Sequence, residues 1–109
     1  MRPYEVVIIF DADLEEETIR SVVDRSVEHI RTSGGEPGAV DHWGKRRFAY
    51  ELKHRWEGYY VVLRAQASTQ AIEELGRSLS LADEVLRHRI VRLPDGVLAT
   101  TAPAAGTDT

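Results

Sequence analysis

The sequence predicts an α+β fold in the order β-α-β-β-α-β, on three observations. Four segments are rich in β-branched and aromatic residues. Two others repeat apolar residues at helical spacing. Clusters of Gly, Pro, Asp or Ser punctuate the joins. The simplest packing of that order is the ferredoxin-like arrangement, a four-stranded antiparallel sheet with both helices on one face.

Tyr4–Phe10 reads as the first strand, with both faces apolar and therefore a central position. Asp13 followed by Glu16 has the form of a capping box, with Asp13 as N-cap. Ile19, Val22, Val23, Ser26, Val27 and Ile30 continue the helix, and Gly34-Gly35 with Pro37-Gly38 stop it and reverse the chain. Val40–Lys53 is a long second strand; His54–Glu57 turns, and Gly58–Gln66 returns as an antiparallel partner. Ser68 caps a second helix, lined by Ile72, Leu75 and Leu79. Val85–Leu93 is the last strand, ended by Pro94-Asp95-Gly96.

Packing the helices on one face assigns that face Tyr4, Val6, Ile8, Phe10, Phe48, Tyr50, Leu52, Val61, Leu63 and Ile90. Leu86 and His88 also turn inward, because the opposite parity buries Arg87 and Arg89. The open face shows Val7, Ile9, Tyr60 and Val62, flanked by Arg47, Arg64, Arg87 and Arg89. An exposed apolar patch rimmed by charge marks a docking surface for a partner. Residues 1–96 form one domain, and 97–109 a tail too poor in apolar side chains to offset its ordering entropy.

The chain has 109 residues and a net charge of −4, from 14 Lys and Arg against 18 Asp and Glu. That balance disfavours a non-specific coat on nucleic acid, yet permits a local cationic patch. There is no cysteine, so disulfide and thiolate chemistry are excluded, which fits a reducing cytoplasm. No apolar run approaches the roughly 18–20 residues of a membrane span.

The sharpest candidate site is Lys45-Arg46-Arg47, where strand alternation sends neighbours to opposite sides. Guanidinium groups on a stiff strand suit a sugar-phosphate backbone. Charge protecting an edge strand against aggregation is the competing reading. Arg87-His88-Arg89 and Arg92 form a second basic stretch on the opposite edge; pairing with Asp83 and Glu84 is the plain alternative. Glu15-Glu16-Glu17 fan out on a helix and cannot converge on one metal. His29, His42, His54 and His88 lack metal-ligand spacing; His29 belongs to an exposed helix turn. No nucleophile–base constellation emerges, so no catalytic residue and no enzyme class is assigned.

Met1-Arg2-Pro3-Tyr4-Glu5, Gly44-Lys45-Arg46-Arg47-Phe48-Ala49-Tyr50, Gly58-Tyr59 and the Arg/Val-rich Val85–Leu93 together resemble the bacterial small-subunit ribosomal protein S6 family. The likeness spans about residues 1–93. It implies the same ferredoxin-like fold and a non-catalytic role, binding small-subunit ribosomal RNA together with ribosomal protein S18. Carried onto this chain, Arg2, Arg46 and Arg47 become RNA contacts, with Arg87 and Arg89 next. Lys45 and Lys53 join the same set, and Val7, Ile9, Tyr60 and Val62 become the protein-facing strip. The expectation is a cytoplasmic, ribosome-bound protein without cofactor, metal or small-molecule ligand, monomeric when free. A small-molecule regulatory or dimerisation domain is the alternative, since this fold hosts many functions. An acyl-phosphate hydrolase of similar fold is disfavoured, because the chain contains no asparagine to orient water.

Overall fold

Six elements follow in chain order in the computed structural model, which describes residues 1–94: β1 (Arg2–Asp11), α1 (Glu16–Thr32), β2 (Glu36–Leu52), β3 (Arg55–Ala67), α2 (Thr69–Leu81) and β4 (Val85–Arg92). The expected tail at 97–109 lies outside the described residues. The strands form one sheet in the order β2-β3-β1-β4, every neighbouring pair antiparallel. This is the predicted ferredoxin-like topology, with β1 and β3 central.

The core lies between the sheet and its helices. β1 contributes Tyr4, Val6, Ile8 and Phe10, and β3 contributes Val61, Leu63, Ala65 and Ala67. From α1 come Ile19, Val22, Val23 and Ile30; from α2, Ala71, Ile72, Leu75 and Leu79. Each large side chain buried there stabilises the fold by about 1.5–3 kcal/mol relative to exposure. His88 and Ile90 stand opposite Ile8 and Val6 and share their inward face, as predicted. His88 packs beside Gly76 of α2, and its partial burial lowers the imidazole pKa.

The structure differs from the sequence expectations at several points. Asp13 is not the N-cap of α1: Glu15 is, without a side-chain cap bond. The Asp13 N–H instead donates to Asp11 Oδ1 at 2.9 Å in a local turn, and its carboxylate meets Arg55. β2 starts at Glu36, so Pro37-Gly38 lies within an edge strand, where the missing proline N–H is tolerated. The hairpin turn is Lys53-His54, with φ of 51° and 65°, the left-handed pair of a two-residue type I′ turn. Arg55, Trp56 and Glu57 therefore belong to β3. Val85 joins the core cluster opposite Phe10, where the β1–β4 register shifts at Ile9/Phe10, and Leu86 is buried beside it. His29 is half-buried, and its Nε2 donates to the Ala71 carbonyl oxygen at 3.0 Å, tying α1 to α2.

The largest correction concerns β2. His42 stands opposite Val61, yet Gly44 stands opposite Tyr60, so Trp43 is one extra residue. This β-bulge reverses the alternation beyond it. Phe48 consequently lies beside Tyr60 and Ile9 on the open face, not against the helices. Tyr50 is exposed, so it is no core residue, and Leu52 adjoins the hairpin turn.

Candidate nucleic-acid and protein interface

The open face is built from cross-strand rows. Gly44, Tyr60, Ile9 and Arg87 form one row across the four strands; Asp41, Val62, Val7 and Arg89 form the next. Arg64, Glu5 and Val91 follow. Val7, Ile9 and Tyr60 are half-buried, whereas Val62, expected on the partner-facing strip, is 0% exposed and so not accessible to a partner.

Arg64 does not flank this surface as a free cation. It is 2% exposed, and its Nη2 donates to Glu5 Oε2 at 3.2 Å while Nη1 lies 3.7 Å from Asp41 Oδ2. The two carboxylates compensate a charge that burial would otherwise penalise heavily. The triad also crosses β1, β3 and β2, and so reinforces their register.

The other cations behave differently. Arg46, Arg47, Arg87 and Arg89 are exposed, and no ion pair among the described residues involves them. Asp83 and Glu84 do not neutralise the β4 arginines. Arg46 is on the open side, with its guanidinium carbon 5.1 Å from the centre of the Trp43 ring. Lys45 stands opposite Tyr59, on the other surface of the hairpin, and alternation places Arg47 there as well. The bulge thus exchanges the expected roles of the two arginines: Arg46, not Arg47, borders the open face. Three strand spacings, about 14 Å, separate the Arg46 edge from the Arg87–Arg89 edge.

Two expected members of the set lie elsewhere. Arg2 stands opposite Ala67, whereas Arg46 stands opposite Gly58, nine residues away along β3. That separation is about 30 Å along the strand. Lys53 occupies the turn at the hairpin tip.

Two aromatic neighbours of Tyr60 that the sequence pattern does not reveal, Trp43 and the outward-turned Phe48, complete the patch. Trp43 and Tyr60 are nearly parallel, at 10° and 6.2 Å between centroids, and Phe48 adjoins Tyr60 at 6.4 Å. Trp56 is 52% exposed near the tip. The available signal was Gly44: a lone glycine inside a strand pattern points to a bulge, and here its φ is +88°.

Chemically, the arrangement offers multidentate N–H donors on both edges of a partly apolar sheet. Such donors suit phosphate oxygens, and the strip between them suits apolar side chains. Among the described residues no helix is long and apolar enough to cross a membrane.

Comparisons with known proteins agree with this architecture. Residues 3–92 match the family model described as Ribosomal protein S6. The small ribosomal subunit protein bS6 of Carboxydothermus hydrogenoformans is 44% identical over 92 residues, covering 84% of this chain and 96% of that protein. Its counterpart in Mycobacterium tuberculosis is 42% identical over the same shares. Among solved structures, the 30S ribosomal protein S6 of Thermotoga maritima superposes with a TM-score of 0.79 at 30% identity, covering 84% of this chain and 87% of that one. The C-terminal domain of the Mycobacterium tuberculosis MgtC protein, at 13% identity and a TM-score of 0.58, shares the fold alone.

Proposed function

The chain belongs to the ribosomal protein S6 family, and on that premise we propose that it is a structural, non-catalytic constituent of the small ribosomal subunit that binds small-subunit ribosomal RNA together with ribosomal protein S18. Its family relatives are ribosomal structural proteins and not enzymes. The reading places this chain on cytoplasmic ribosomes.

The observation that carries the RNA reading is the set of exposed arginines on two opposite sheet edges, unpaired among the described residues. Guanidinium groups left without internal carboxylates retain their donors for phosphates. The strip of Val7, Ile9 and Tyr60 supports a protein contact between those edges. S18 is the partner that the family resemblance supplies for it. Arg2 and Lys53 serve as outlying contacts in this scheme, and Lys45 with Arg47 reach RNA from the opposite surface of the hairpin.

Filter binding to small-subunit ribosomal RNA with S18 present tests the proposal. Arg46→Ala with Arg47→Ala weakens binding by about 2–3 kcal/mol, and the slope of log K against log salt falls by about 2. Unchanged affinity and unchanged slope would remove both arginines from the interface.

A further inference from the structure

Arg46 is an exposed cation whose position is nonetheless defined. Its guanidinium rests over Trp43, and Trp43 in turn lies nearly parallel to Tyr60 on the open face. Trp43 is there because it is the extra residue of the β2 bulge, followed by Gly44 in a left-handed conformation. We propose that Trp43 is a positioning residue for Arg46, a shelf that holds the guanidinium in a binding-ready orientation. The proposal rests on the RNA-binding reading and adds to it a residue that need not touch RNA.

Three properties of the contact carry this. An aromatic face attracts a guanidinium without neutralising it, whereas a carboxylate would compete with phosphate for the same donors. A cation–π contact uses none of the guanidinium N–H groups as hydrogen-bond donors, so they keep their capacity for a ligand's oxygens. A side chain already confined on its shelf loses less rotamer freedom when it meets a ligand. The arrangement also explains why the bulge matters. Without the extra residue, Arg46 would fall on the other surface of the hairpin, away from Tyr60 and Ile9.

A double-mutant cycle on the full chain, read as affinity for small-subunit ribosomal RNA with S18 present, tests the coupling. Trp43→Leu is expected to weaken binding about three- to fivefold, the range of an exposed cation–π contact. In an Arg46→Ala background the same change should alter affinity by less than about 1.5-fold, since the shelf then holds nothing. Trp43→Phe retains an aromatic face and should stay within about twofold of the parent. An equal loss in both backgrounds would overturn the positioning role and leave the RNA reading standing. No loss from Arg46→Ala itself would remove Arg46 from the RNA interface and overturn the positioning role with it. A second readout needs no RNA and no disruptive variant: in a Trp56→Phe protein, where Trp43 is the remaining tryptophan, Arg46→Ala should shift the emission of the free chain. An unchanged spectrum counts against the contact.

Discussion

Arg64 shows how a residue expected at the rim of a docking surface can serve the fold instead. Its side chain is 3% exposed, against 13% for Glu5 and 37% for Asp41. Arg64→Met strips the two carboxylates of their counter-charge at a place where water reaches them poorly. Breaking a fully buried pair costs about 3–5 kcal/mol, and the residual hydration of Asp41 lowers that to about 2–3 kcal/mol here. Urea denaturation measures it; a loss below about 0.5 kcal/mol would class the pair with ordinary surface bridges. His88 gives a second residue-scale expectation. Burial holds its imidazole below the ordinary value of 6.5, so the unfolded chain takes up a proton first as the pH drops. The neutral-state stability is complete above about pH 6.5 and declines below it. His88→Leu should therefore show a shallower loss of stability below pH 6.5 than the parent. Parallel curves would remove His88 as a source of acid sensitivity.

The two helices are finished differently at their starts, and this sets opposite expectations for two cap substitutions. Ser68 accepts a hydrogen bond from the Ala71 N–H at 3.1 Å, the contact expected of an N-cap serine. Ser68→Ala should destabilise the protein by about 1 kcal/mol. Glu15 caps α1 without such a bond. Glu15→Ser supplies the missing short acceptor and should stabilise by about 0.5–1 kcal/mol, read as a rise in thermal midpoint. A fall in the midpoint would mean that the Glu15 carboxylate contributes more, through the positive end of the helix, than the absent cap bond. At the neighbouring β1–α1 junction, Arg55 reaches Asp11 and Asp13 at 2.9 Å each. Asp13, expected as the N-cap of α1, instead joins Asp11 in fastening the β3 end of the hairpin to β1.

For the molecule as a whole, the sign of its charge and the location of its arginines pull in opposite directions. A net charge of −4 repels a polyanion at long range, while the arginines on the two sheet edges attract it at contact. On the proposed reading, the expected outcome is weak RNA binding by the protein alone and tight binding once S18 is present. Titration of the RNA at physiological salt, with and without the partner, measures the difference. Tight binding without the partner would contradict this balance. On the same view the free chain sediments as a monomer, because the strip between the basic edges is only half exposed and both edges would bring like charges together.

The element order, the central place of β1 and β3, and the inward set on β1 were legible in the sequence. Each depends on residues close together in the chain: the apolar run at Tyr4–Phe10, the helical spacing from Ile19 to Ile30, the serine at 68. The cationic segment at 45–47 was legible for the same reason, and so was the alternation that sends its neighbours apart. Which arginine borders the open face was not. That choice turns on one extra residue at Trp43, and a bulge exists only relative to the partner strand it fails to match. The exchange of Arg64 from surface cation to buried ion pair likewise needed Glu5 and Asp41, 59 and 23 positions away in sequence, to converge across three strands. Local pattern determines what each segment becomes, but the direction of a side chain beyond a bulge and the partner of a buried charge arise only when distant strands are paired.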